Sequence, residues 1–396
     1  MLTRRFAAVL AVGLTVSLAP VVPAHADSTA WARQLLTDLT SAWQVTKGRG
    51  VKVAVLSTGV DSSAAVVVGQ KDLVGGANNH KAVGSLVAAI IAGSGPTPNS
   101  PFAIRGLASE ANILSVRVYP EIGDPQGDNY FASNLARETL AQGIRYAADQ
   151  GADVIMSDEY FWDNNSNDAL AAAVAYALAK GSVVVAGNYS IPSDVSASLT
   201  YPAALPGVIG VAALGHDGTR AKDATTANSA VSVAAPGADG KFTAVWDTIA
   251  ATCWVTATAA LIRAEHPKMA PSLVLQALEQ SAHHPAGGYN TEVGFGIINP
   301  EGALMAARTL AKQSPFAPAT AGAVADRTRF GGPVPGDIVA VRHDPWLFAG
   351  FGGLIWAGWL ALVGAIALTI RLRRRRRITA AEQPVTGWAD EAFSPV

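Results

Sequence analysis

Few residues in this chain have the type and setting for bond-making chemistry. Nucleophilic catalysis needs a hydroxyl or thiol beside a base, and the only cysteine is Cys253. It lies in the apolar run DTIAATCWVTATAALIRAEHP, where a lone cysteine is expected to pack as a small buried hydrophobe. Thr248 offers a hydroxyl in the same run, with no base identified beside it. His80, in the loop NNHKAVG, is the nearest imidazole along the chain to the positions discussed below. A solvated loop histidine is its plainer reading. The seven histidines are scattered, and neither HExxH nor paired-cysteine spacing occurs, so no metal site and no cofactor are expected. Ser157–Asp168 (SDEYFWDNNSND) sets aromatics among acids. It could hold calcium or meet a partner, and a solvated loop is the simpler expectation.

Short apolar runs with β-rich composition occur at Val51–Leu56, Ile113–Val118, Val183–Val185 and Val208–Ala213. Between them, Ser85–Ala92, Leu135–Asp149 and Asp168–Lys180 have helical patterns, the last closed by Gly181. Near-continuous apolar strands alternating with helices predict a mainly parallel sheet covered on both faces. Three helices follow, at about Thr252–Glu265, Pro271–Ala282 and Pro300–Lys312, two of them opening on proline at a first-turn position.

Both ends of the chain carry targeting features. Arg4 and Arg5, the apolar run Phe6–Leu18 and Ala24-His25-Ala26 have the layout of a secretory signal cleaved before Asp27. Leu347–Ile370 carries no charge and, as a helix, would be about 36 Å long, enough to cross a bilayer. Trp346 stands where an interfacial anchor would, and the arginine block from Arg371 predicts a cytoplasmic C-terminus. The expected organisation is therefore a signal at 1–26, an extracellular domain at 27–312 and a Pro/Gly/Ala-rich stalk at 313–346. A membrane helix at 347–370 and a tail at 371–396 complete it. The charge of -1 gives no sign of a polyanionic partner, and nucleic acid is not expected. With one cysteine, no intrachain disulfide can form and the outer domain must stand on packing.

Ordered segments then resemble one family. AWQVTKGRGVKVAVLSTGVD, SLVAAIIAG, RGLASEANILSVRVY, GADVIMS, YPAALPGVIGVAAL, VSVAAPG, VTATAALIRAEHP and GFGIINPEGAL are similar to blocks of the subtilisin-like serine peptidases. The likeness is greatest to mycosins, the membrane-anchored subtilases of type VII secretion systems, and runs from about Ala42 to Ala307. It implies a doubly wound, mainly parallel α/β sheet with helices on both faces. It also implies a catalytic aspartate, histidine and serine. In those three places this chain has Ser57 (VAVLSTGV), Val83 (before VAAIIAG) and Ile249 (DTIAATCWV). Ser57 carries no charge to stabilise an imidazolium, Val83 transfers no proton, and Ile249 has no nucleophilic atom. In a subtilisin, loss of the serine or histidine alone lowers turnover about 10⁶-fold.

The surroundings of those positions depart from the family as well. Asp247 stands for a glycine before the nucleophile and Cys253 for a proline after it. The substrate-pairing stretch, here Met156–Trp162, lacks the glycines that let a peptide backbone lie close. Asn188 matches the family's oxyanion-hole asparagine in type; its alternative role is that of a polar residue in the turn after a strand. The expectation is a membrane-anchored pseudopeptidase that binds a protein or peptide in the former substrate groove, with secretion machinery as a partner class. The alternative is a serine-type or cysteine endopeptidase built unconventionally from Cys253 or Thr248 with His80.

Overall fold

The computed structural model describes residues 30–76, 80–95, 105–121, 123–125, 127, 130, 135–161, 168–190, 199–237, 244–313 and 356–373. The expected signal, the stalk beyond Gln313, the start of the membrane helix and the tail past Arg373 lie outside them. The chain divides into two units, Met1–Ala321 and Gly322–Val396.

In the first unit the elements run α1 (Ala30–Val45), β1 (Lys52–Ser57), β2 (Val67–Asp72), α2 (Ala82–Ala92), β3 (Asn112–Arg117) and α3 (Leu135–Asp149). They continue with β4 (Val154–Ser157), α4 (Asp168–Ala179), β5 (Val183–Gly187), β6 (Ile209–Leu214) and β7 (Val233–Pro236). Helices α5 (Ala244–Glu265), α6 (Pro271–Ser281) and α7 (Pro300–Gln313) close the unit. The seven strands form one sheet in the order β2-β3-β1-β4-β5-β6-β7, and every pair is parallel.

Alternation along the strands explains why both faces are covered. Val53, Val55, Val154, Met156, Val183 and Val185 join one buried cluster with residues of α2, α5 and α6. Their neighbours Ala54, Leu56, Ile155, Val184 and Ala186 join the other, with residues of α3 and α4. Edge strand β2 is the exception, mostly exposed, and its pattern was not legible as a strand in the sequence. The strand order reverses about β1, because the chain reaches β2 and β3 on one side and then crosses to β4 on the other. In open α/β sheets, sites form beyond the carboxyl ends of strands at such a reversal. Ser57 is the last residue of β1.

One helix departs from the expected boundaries. The run predicted to turn helical at Thr252 is already helical at Ala244. With Asp247 and Cys253 where glycine and proline would stand, nothing from Asp247 to Val255 breaks a helix. In the second unit, Trp356–Arg373 is a helix long and apolar enough to cross a membrane. Its apolar side chains, Leu360 and Leu368 among them, are exposed.

Candidate functional site

Of the three positions that the family likeness singles out, Ser57 and Val83 lie together at the carboxyl end of β1, and Ile249 is on the helix that packs beside α2. A Cβ placed on Gly84, next to Val83, would lie 3.1 Å from Ser57 Oγ and 2.1 Å from the Gly59 carbonyl, so the start of α2 sits directly against Ser57. Cys253 Sγ lies 4.0 Å from the Val87 carbonyl oxygen. Those two residues stand one helical turn beyond Ile249 and Val83 on α5 and α2, so the two helices run together past the site. Val83 packs against the core, and Ile249 is a buried member of it.

What fills the centre is a carboxyl from elsewhere. Parallel pairing of β1 and β4 sets Leu56 opposite Ser157, so the next residues, Ser57 and Asp158, emerge side by side. Ser57 Oγ donates to Asp158 Oδ2 at 2.6 Å and lies 3.4 Å from the Tyr119 hydroxyl. Tyr119 adds a further hydrogen bond to the carboxyl. Asp158 is 4% exposed, and its other oxygen, Oδ1, has no partner among the described residues. Burial disfavours its charged form and raises it to about 7, against the opposing pull of the Ser57 and Tyr119 hydrogen bonds. Glu159 beside it is raised to about 8, by burial first and then by the Asp158 charge. The expectation of a solvated loop therefore fails for Ser157 and Asp158, both of which are buried. The polar start of this loop enters the core because a hydroxyl and a phenol are there to receive it. Residues 162–167, Trp162 included, lie outside the described residues.

The glycine-poor stretch closes on itself. The Tyr160 ring stacks on Tyr189 with centroids 4.0 Å apart and planes 12° from parallel. Since β4 and β5 are neighbours, the stack spans the gap between their carboxyl ends. Phe161 and Tyr201 exchange backbone hydrogen bonds of 2.9 and 2.8 Å, so part of the edge that a peptide would use is paired with the chain's own backbone.

The remaining candidates are each occupied with structural contacts. Asn188 is fully buried; its amide donates to the Thr226 carbonyl, and its oxygen accepts from Thr200 and Asn228, both at 3.1 Å. Thr248 Oγ1 donates to the Ala224 carbonyl at 2.7 Å. Cys253 is fully buried, and burial followed by the Asp158 charge pushes its thiol far up, away from the reactive thiolate. His80 has a partner that sequence reasoning missed: Asp124 Oδ1, 2.6 Å from Nδ1. Asp124 Oδ2 in turn accepts from Arg117 at 3.1 Å, and Arg117 reaches Asp72 and the Gly75 carbonyl. Arg117 is 2% exposed, so this network anchors the carboxyl ends of β2 and β3. No group of three or more metal-ligating side chains occurs among the described residues.

A sequence model of the Peptidase_S8 subtilase family matches residues 48–296, more than half the chain. The chain belongs to the subtilase family. Among curated relatives, this subtilase is 28% identical to Mycosin-4 of Mycobacterium tuberculosis over 305 residues, 67% of either chain. It is 30% identical to Mycosin-1 of Mycolicibacterium smegmatis over 328 residues, covering 69% of this chain and 72% of that one. A crystal structure of MycP1 without its N-terminal propeptide superposes with a TM-score of 0.57 at 25% identity, covering 70% of this chain and 96% of that one. A chain of an intact ESX-5 inner membrane complex matches at TM-score 0.57 and 25% identity, covering 86% of this subtilase and 90% of its own length.

Proposed function

We propose that this mycosin-like subtilase is a membrane-anchored pseudopeptidase that binds a protein or peptide partner without cutting it. The single observation that carries the reading is the end of β1. Where the family places an ionised acid facing a histidine, Ser57 here donates to the buried Asp158 and sits against the start of α2, beside Val83, while Ile249 is buried in α5. The oxyanion side supports it: Ile249 is the sixth residue of α5, beyond the first four N–H groups that a helix leaves unpaired. Its N–H is therefore consumed within the helix.

The partner class follows from the relatives. One structural neighbour is a chain of an ESX-5 inner membrane complex, another belongs to its periplasmic assembly, and Trp356–Arg373 supplies a candidate span. In this reading the signal at 1–26 and the stalk at 313–346 carry the domain to the outer membrane surface and hold it there. The C-terminal tail lies inside, and the domain docks beside a type VII secretion complex. An endopeptidase built on Cys253 or Thr248 finds no support, since both side chains are buried and neither is paired with a base.

The test is covalent labelling of the full-length protein in detergent by a serine-directed fluorophosphonate, alongside pull-down of partners from membranes. No labelling, with secretion components recovered, is expected. Labelling that disappears when a single hydroxyl is mutated would overturn the reading.

A further inference from the structure

The buried acid at the centre of the site faces no cation. The groups around Asp158 are Ser57 from β1, Tyr119 from the segment after β3, Tyr189 from the turn after β5, Cys253 from α5, and Glu159 and Tyr160 from its own segment. Among the described residues no lysine, arginine or histidine pairs with it. Asp158 Oδ1 and the Tyr189 hydroxyl are both enclosed and have no partner among the described residues. A neutral carboxyl sits in such a pocket at low cost, whereas a carboxylate lacks the compensation that buried charge requires. Asp158 and Tyr160 are two residues apart, so movement of the acid to solvent would pull on the tyrosine stack that spans the β4–β5 gap.

We infer that Asp158 is a proton-dependent latch on the groove: protonated, it seats Tyr160 on Tyr189 and keeps the gap shut; deprotonated, it leaves the pocket and the gap opens. The inference rests on the proposal that this groove is the binding site and supplies its regulation.

The direction in pH follows from linkage. In the closed state Asp158 holds its proton to about 7, whereas a solvent-exposed aspartic acid loses it near 3.9. Between those values closing requires proton uptake, so the open fraction grows about tenfold per pH unit and levels off above about pH 7. Glu159, raised to about 8, extends the rise if it leaves with its neighbour.

Cys253, the only thiol and fully buried, lies within electrostatic reach of Asp158 and Tyr189. It therefore reports opening without any ligand. The full-length protein in detergent is reacted with dithiodipyridine, which attacks thiols at acid pH, from pH 4.5 to 8. Each rate is divided by that of the urea-unfolded chain at the same pH. The ratio is expected to rise about tenfold per unit and then flatten. Asp158→Asn should remove its part of the rise, Ser57→Ala should move the plateau to higher pH, and Tyr160→Gly should make the thiol fast at every pH. A flat ratio in the unmodified protein, or an undiminished rise in Asp158→Asn, overturns the latch. If Asp158→Asn does not fold, an unshifted plateau in Ser57→Ala does the same. Because the readout contains no peptide, a pH-gated thiol with no partner captured at any pH counts against the binding proposal. A flat thiol with a partner captured counts against the latch alone.

Discussion

Ser57 donates a 2.6 Å hydrogen bond to Asp158, joining the end of β1 to the residue that follows β4. On the pseudopeptidase proposal this is the place of a subtilase's catalytic acid, and here the carboxyl comes from beyond the neighbouring strand. Ser57→Ala leaves a buried carboxyl oxygen without its donor, so a loss of about 1–3 kcal/mol is expected in urea unfolding. A loss under a few tenths of a kcal/mol would show that Tyr119 alone satisfies the acid.

The share of stability that Asp158 and Glu159 contribute should fall as pH rises through the acid and neutral range. Asp158 and Glu159 are raised on folding, so the folded state binds more protons than the unfolded one. Their contribution is fully present below about pH 4 and is lost progressively up to about pH 7 for Asp158 and about pH 8 for Glu159. The Asp158 share is at most on the order of 4 kcal/mol. Asp158→Asn should therefore raise the melting temperature at pH 8 and change it little at pH 4.5. The opposite ordering in thermal scans would contradict the buried-acid assignment.

On the pseudopeptidase proposal, placing the three family residue types in this chain should not create an active peptidase. In Ser57→Asp/Val83→His/Ile249→Ser, the new serine would lie within the second turn of α5, with its N–H already spent. The Asn188 amide is bonded to Thr226, and the new aspartate would crowd Asp158. Loss of one oxyanion donor costs about 10²–10³ in turnover. Fluorophosphonate labelling should remain at least that far below an active subtilase measured in parallel, and a comparable rate would show the oxyanion site intact.

Arg117 is a structural keystone on the other side of β1. Arg117→Met would strand Asp124, whose side chain is fully buried, without its guanidinium. Removal of one partner of a buried pair costs about 3–5 kcal/mol. Adding Asp124→Asn to Arg117→Met removes both charges of the pair and should partly rescue the loss in the double variant. Strictly additive losses in the double-mutant cycle would argue that the two side chains do not interact.

Much of this molecule is written locally. Strands such as Lys52–Ser57 and Val183–Gly187 declare themselves as apolar runs, because a strand buried on both faces needs apolar residues at every position. The types at positions 57, 83 and 249, and the charge-free run ahead of the arginine block, are plain in one dimension. The early start of α5 was less legible, because the family likeness suggested a turn where the residues themselves contain no helix breaker. Edge strand β2, exposed along most of its length, lacks the apolar signal altogether.

What only the tertiary structure decided is which residues meet. Ser57 and Asp158 are 101 positions apart, and His80 and Asp124 are 44 apart. No local pattern encodes such pairings; they follow from strand order and register, here the seating of Leu56 opposite Ser157. Burial has the same origin: an acidic stretch reads as solvated until a neighbouring strand supplies the hydroxyl that receives it. The sequence by itself determined the subtilase frame and the residue types at positions 57, 83 and 249 on which the pseudopeptidase proposal rests. The packed sheet decided that a carboxyl following the next strand meets Ser57.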